Sequence, residues 1–126
     1  MHGVPADLPL QRFVGCTLVQ ICIGQHELQF HFSGERGYGG GTIQVEGGWE
    51  LYDSAAVLID SKRDHFDREH YTVHVVLGST VSSFSINAPH SCQLVFDNGH
   101  RLTIYDDNDH YETFSVCPAG EAGVYI

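Results

Sequence analysis

Apolar and polar positions alternate along much of this chain. In the stretch 28–32 Leu28, Phe30 and Phe32 are separated by Gln29 and His31. A period of two is the mark of a strand with one buried and one wet face. By this rule Val19, Ile21 and Ile23, then Leu28, Phe30 and Phe32, then Ile43 and Val45 point inward. A later series follows: Phe84 and Ile86, then Cys92, Leu94 and Phe96, then Leu102 and Ile104. Gln29, His31, Gln44, Glu46, Gln93, Arg101 and Thr103 fall on the outward side. Strands that are wet on one face and buried on the other predict antiparallel pairing.

The two series resemble each other. Val14-Gly15 aligns with Leu77-Gly78, Phe32-Ser33-Gly34 with Phe96-Asp97-Asn98-Gly99, and Ile43 and Val45 with Leu102 and Ile104. The pattern predicts a duplicated antiparallel β-meander. Asn98-Gly99 favours a two-residue type I′ turn, which needs positive φ at both central residues. The glycine-rich stretch 33–41 reads as a longer hairpin loop. Between the series, Asp60-Ser61 is a candidate N-cap and Gly78 a candidate C-cap, so a helix is expected over part of 61–78. The β-branched run at 71–76 favours a strand there instead. A shorter equivalent at 8–15 precedes the first meander.

The resulting expectation is an α+β fold. A duplicated meander forms a curved sheet or partial barrel, accompanied by one or two short helices. All 126 residues are read as one domain. The first repeat covers 12–60, a connecting helix or loop 61–75, the second repeat 76–116 and a C-terminal strand 117–126.

Charge narrows the function. Against 6 Lys and Arg stand 16 Asp and Glu, a formal net charge of -10. Such a surface repels nucleic-acid phosphates and anionic lipid head groups, and its natural complement is a basic protein. Solubility alone also accounts for an excess of acid. The first residues lack the basic and apolar regions of a secretory signal, and no run is long enough to span a membrane. Cys16, Cys22, Cys92 and Cys117 have no CxxC spacing and are expected as free thiols, which points to a cytoplasmic location.

The densest cluster of chemistry-bearing side chains is Asp106, Asp107, Asp109, Tyr111 and Glu112, beside His110. Trp49, Glu50 and Tyr52 hold a similar place after the first meander. Aromatic residues flanked by carboxylates suit a protein interface, the rings giving buried area and the acids steering a basic partner. The alternative is that Trp49 and one tyrosine close the ends of the core.

Metal chemistry has two candidates. His70 and His74 would share one face of a helix and could hold zinc with His65. The HExxH motif is absent, since Tyr71 follows His70. Calcium could use Asp106, Asp107 and Asp109, but an EF-hand starting at Asp106 would place Tyr111 where glycine is required. Acid–base catalysis requires a carboxylate whose pKa burial has raised, and these acids lie in a polar run. No GxSxG occurs, Cys92 falls on an inward face, and the glycine-rich loop lacks the Walker spacing.

The segments at 48–51, 96–107 and 111–116 resemble a family of small bacterial domains of unknown function, in which such segments are shared structural motifs. The resemblance spans most of 12–126 and implies neither a cofactor nor a catalytic residue. As a class, small acidic single-domain proteins are also similar to immunity proteins, which neutralise toxin domains by binding them. The expectation is therefore a non-enzymatic protein-binding domain without a cofactor, with an immunity-type inhibitor of a basic toxin domain as its most specific form. Two alternatives stand beside it. One is a metal- or ligand-binding protein using His65, His70 and His74. The other is a structural module that self-associates through an exposed sheet edge.

Overall fold

A computed structural model describes residues 3–34, 39–62, 71–107 and 112–126. It contains β1 Thr17–Ile23, β2 Leu28–Ser33, β3 Gly40–Val45, β4 Trp49–Tyr52 and β5 Leu58–Ser61. Then come β6 Val81–Asn87, β7 Ser91–Phe96, β8 Arg101–Tyr105, β9 Phe114–Pro118 and β10 Val124–Tyr125. The strands form two five-stranded antiparallel sheets, ordered β1-β2-β3-β9-β10 and β5-β4-β8-β7-β6.

Of the expected α+β fold with a curved sheet or partial barrel, the structure shows the β part: the described residues are mostly strand, in two antiparallel sheets that do not close. Among the described residues the helical elements are two 3-10 turns, Leu10–Phe13 and Val73–Val76. Where a helix was expected between Asp60 and Gly78, the described residues hold the second of these turns. Residues 63–70 lie outside the described residues. Among those described, no helix is long and apolar enough to cross a membrane.

Each sheet takes a three-strand meander from one half of the chain and two strands from the other. Each half runs in the same order: a 3-10 turn, a meander, a crossing to the other sheet and two further strands. The halves meet where β1 and β6 begin. Gly15 N–H donates to the Val81 carbonyl at 2.8 Å, and Gly78 N–H donates to that of Leu18 at 2.8 Å. Thr17 and Thr80 bridge between these bonds, their hydroxyls 3.3 Å apart. Pairing shifts register between Leu18 and Gln20 in β1, and at the corresponding place, between Val81 and Ser83, in β6.

That shift corrects one inward assignment. A bulge inserts an extra residue and interrupts the alternation. Leu18 is fully buried, while Val19, expected inside, is 56% exposed. Ile21 is partly buried, and Ile23, at the end of an edge strand, is 53% exposed. The other assignments fit better. Leu28, Phe30, Phe32, Ile43, Val45, Cys92, Leu94, Phe96, Leu102 and Ile104 are buried, and Phe84 and Ile86 pack partly against them. The apolar faces of both sheets thus contribute to one core, with Trp49 and Phe13 among its largest members.

The turn at Asn98-Gly99 also differs from expectation. Only Gly99 takes positive φ, at 87°. Gly99 N–H donates to the Phe96 carbonyl and Phe96 N–H to that of His100. This is a three-residue loop with glycine in the left-handed position, not a type I′ turn.

Asp60, the expected cap, acts at longer range than a local N-cap. It is 2% exposed. One carboxylate oxygen accepts N–H bonds from Thr72 and Val73, both at 2.8 Å, and the other accepts from Ser61 at 2.9 Å. The end of β5 is thereby tied to the start of the second 3-10 turn.

Candidate functional site

The acidic residues gather at the corner where the chain crosses between sheets. One crossing is 46–48, from β3 to β4; the other is 106–113, from β8 to β9. The described ends of the second pack directly on the first. Glu46 and Gly47 N–H groups both donate to the Thr113 carbonyl at 2.8 Å, and Tyr105 N–H donates to that of Gly48 at 3.0 Å. The approach requires glycine. A Cβ on Gly47 would stand 2.8 Å from both Asp107 Oδ1 and Thr113 Cβ.

The carboxylates of this corner divide by task. Asp106 accepts from Gly3 N–H at 2.5 Å and from the Thr113 hydroxyl at 3.2 Å. Asp107, at the exposed rim, accepts from Gly48 N–H at 3.0 Å. Both therefore brace the crossings as well as adding charge. Glu46 and Glu112 are exposed and flank the bonded pair formed by Glu46 N–H and the Thr113 carbonyl. Glu46 Oε1 accepts from the Gln44 side chain at 3.2 Å. Lys62 also reaches the corner, where its ammonium donates to the Glu46 carbonyl at 2.5 Å.

Beside the corner, the outer face of the second sheet carries Glu50, Tyr52 and Tyr105. The Tyr105 hydroxyl donates to Glu50 Oε1 at 2.5 Å. Hydrogen bonding to Glu50, then partial burial and the carboxylate's charge, holds the Tyr105 hydroxyl well above the ordinary tyrosine range. Tyr52 is shifted upward by the same causes, led by its own hydrogen bond to Glu50. Thr103 lies opposite both Glu50 and Gln93. It was expected to be wet, yet it is 7% exposed and accepts from Gln93 Nε2 at 2.9 Å. Side chains on neighbouring strands cover it.

The sequence-derived candidates now have definite places. Trp49 is 2% exposed and belongs to the core, so it is no surface anchor. Burial of its large ring holds β4 against the interior. Glu50 is half-buried, and Asp106, Asp107 and Glu112 share the corner. Asp109 and Tyr111 lie outside the described residues. So do His65 and His70, while His74 is exposed with Nδ1 3.0 Å from the Tyr71 carbonyl. Among the described residues no group of three His, Cys, Asp or Glu side chains is placed to hold a metal ion. One participant escaped the sequence reading, Glu46, which the crossing brings to the acidic loop; Tyr105, already visible as an aromatic residue beside the acidic run, joins Glu50. The signal for Glu46 was Gly47-Gly48, since paired glycines permit close backbone approach.

The chain matches no protein-family model, no curated protein and no solved structure. The resemblance noted in the sequence consequently adds nothing to the reading of this site.

Proposed function

We propose that this chain is a non-enzymatic, cytoplasmic binding domain whose acidic corner docks a basic protein. The observation carrying this reading is the joining of two sequence-distant acidic segments. The crossing at 46–48 is bonded to Tyr105, Asp107 and Thr113 at the described ends of the second crossing, which supports reading Glu46, Asp107 and Glu112 as one acidic rim. Like charges held together raise the local potential, and such a rim accelerates encounter with a cationic surface. The overall charge of -10 extends the same field. An immunity-type inhibitor of a basic toxin domain is the most specific form of this proposal.

The architecture itself is read as a duplication within one domain. The repeated element order and the bulge at corresponding places in β1 and β6 support it.

The test needs a partner and a rate. Native mass spectrometry of the untagged chain, gently purified from its host, should reveal a bound basic protein. With that protein in hand, Glu46→Lys combined with Glu112→Lys should slow association about tenfold at low salt and flatten its salt dependence. An association rate unmoved by both reversals removes the acidic corner from consideration.

A further inference from the structure

We infer that Glu50, Tyr52 and Tyr105 form the seat for a single arginine side chain of the basic partner, an inference that rests on the binding proposal above. The three residues come from adjacent strands: Glu50 and Tyr52 from β4, Tyr105 from β8. Successive residues of a strand alternate in direction, so positions 50 and 52 share the outer face, as do 103 and 105. Thr103 stands directly opposite Glu50 and supplies the covered floor, fixed in turn by Gln93. The carboxylate is therefore met by the hydroxyls of both tyrosines, which also bond each other, beside the polar Thr103.

That arrangement matches a guanidinium better than an ammonium. Arginine is planar, stacks on aromatic faces and bonds a carboxylate through several N–H groups, whereas lysine offers a compact point charge. A carboxylate has about four lone-pair positions, so hydroxyl donors leave room for incoming N–H groups. The donors also fix its orientation beforehand, which lowers the entropy lost on binding. Charge favours the same occupant. The seat adjoins the acidic rim, because Tyr105 N–H bonds to the Gly48 carbonyl while Gly48 N–H bonds to Asp107. The chain's own Arg101 lies opposite Tyr52 and is exposed, and the ion pair among the described residues is Arg12 with Glu121, not Arg101 with Glu50.

The other sheet provides an internal comparison. At the corresponding strand positions it carries Ser115, Cys117 and Glu46 in place of Glu50, Tyr52 and Tyr105. Its outer face is a chain of polar contacts linking Thr42, His31, Gln29, Gln44 and Glu46. The same framework thus carries two different outer faces, and only the second combines a carboxylate with paired tyrosines.

The test titrates the 15N-labelled full chain with a tetra-arginine peptide and, separately, with tetralysine. Amide shifts should centre on Glu50, Tyr52, Thr103 and Tyr105, with tetra-arginine binding about fivefold more tightly. Glu50→Gln should weaken tetra-arginine by about fivefold, and Tyr52→Ala should abolish the preference over tetralysine. Tetralysine binding as tightly as tetra-arginine overturns the arginine assignment. Shifts confined to Glu46, Asp107 and Glu112, with Glu50→Gln silent, overturn the seat but leave the acidic corner intact. The absence of shifts at both places overturns the seat and counts against the corner as well.

Discussion

Removing the Asp60 carboxylate should produce the clearest structural penalty of any acidic position among the described residues. N–H bonds from Ser61, Thr72 and Val73 to it span the end of β5 and the second 3-10 turn, and the donor at Val73 belongs to a residue only 1% exposed. Hydrogen bonds to a charged group contribute about 1.5–3 kcal/mol each, and an orphaned buried donor costs about 1–3 kcal/mol. The Ser61 and Thr72 donors belong to partly exposed residues and can turn to water, which lowers their share. Asp60→Ala should therefore cost about 2–4 kcal/mol in total, set chiefly by Val73. Asp60→Asn keeps one acceptor oxygen and should lose about half as much. Urea unfolding followed by far-ultraviolet circular dichroism measures the difference. With a slope of about 1–3 kcal/mol per molar, the midpoint should fall by about 1–2 M for the alanine variant. An Asp60→Ala midpoint within about 0.2 M of wild type would falsify the capping role.

Other expectations concern the bulge and the thiols. Leu18→Ala should cost about 2–5 kcal/mol, whereas Val19→Ser, one position away at the bulge, should stay within about 0.5 kcal/mol; equal losses would contradict the register shift. Cys92 and Cys16 are buried, while Cys22 and Cys117 are partly exposed. A thiol-disulfide reagent should label the latter pair in the native protein and the former only after denaturation. Burial pushes the Cys92 thiol up from 9.0 to about 12. The folded form thus keeps its proton where the unfolded form loses it. Stability from this group is intact below about pH 9 and declines toward pH 12, by up to about 1.4 kcal/mol per pH unit. Cys16, Tyr52 and Tyr105 shift the same way and add to the decline. Cys92→Ala should flatten the profile, and an unchanged slope would contradict its assignment to the core.

The alternating pattern by itself determined most of the interior. Apolar residues two apart must share a strand face, so Leu28, Phe30 and Phe32, or Leu102 and Ile104, could be assigned before any contact was known. The repeated order of elements also had a signal in the sequence, with Gly15 and Gly78 just before β1 and β6 and Phe32 and Phe96 at or next to the ends of β2 and β7. Pattern could not tell which strands would pair across the halves. Exchange of β4–β5 and β9–β10 between sheets depends on contacts between residues far apart in sequence, and period two says only which face is apolar.

The same limit governs the candidate site. Composition made the acidic stretch after Tyr105 visible, and Glu50 stood out beside Trp49. Their distribution into core, braces and rim was a tertiary decision. Trp49 went inward because burying its large ring releases more water than leaving it as an anchor on an exposed face. Asp106 and Asp107 turned toward backbone N–H groups that close packing of the two crossings would otherwise have left unpaired. Glu46 met the acidic loop only because Gly47 and Gly48 let the backbones touch. Local chemistry fixed which residues could serve, and backbone hydrogen bonding between distant segments decided where they stand.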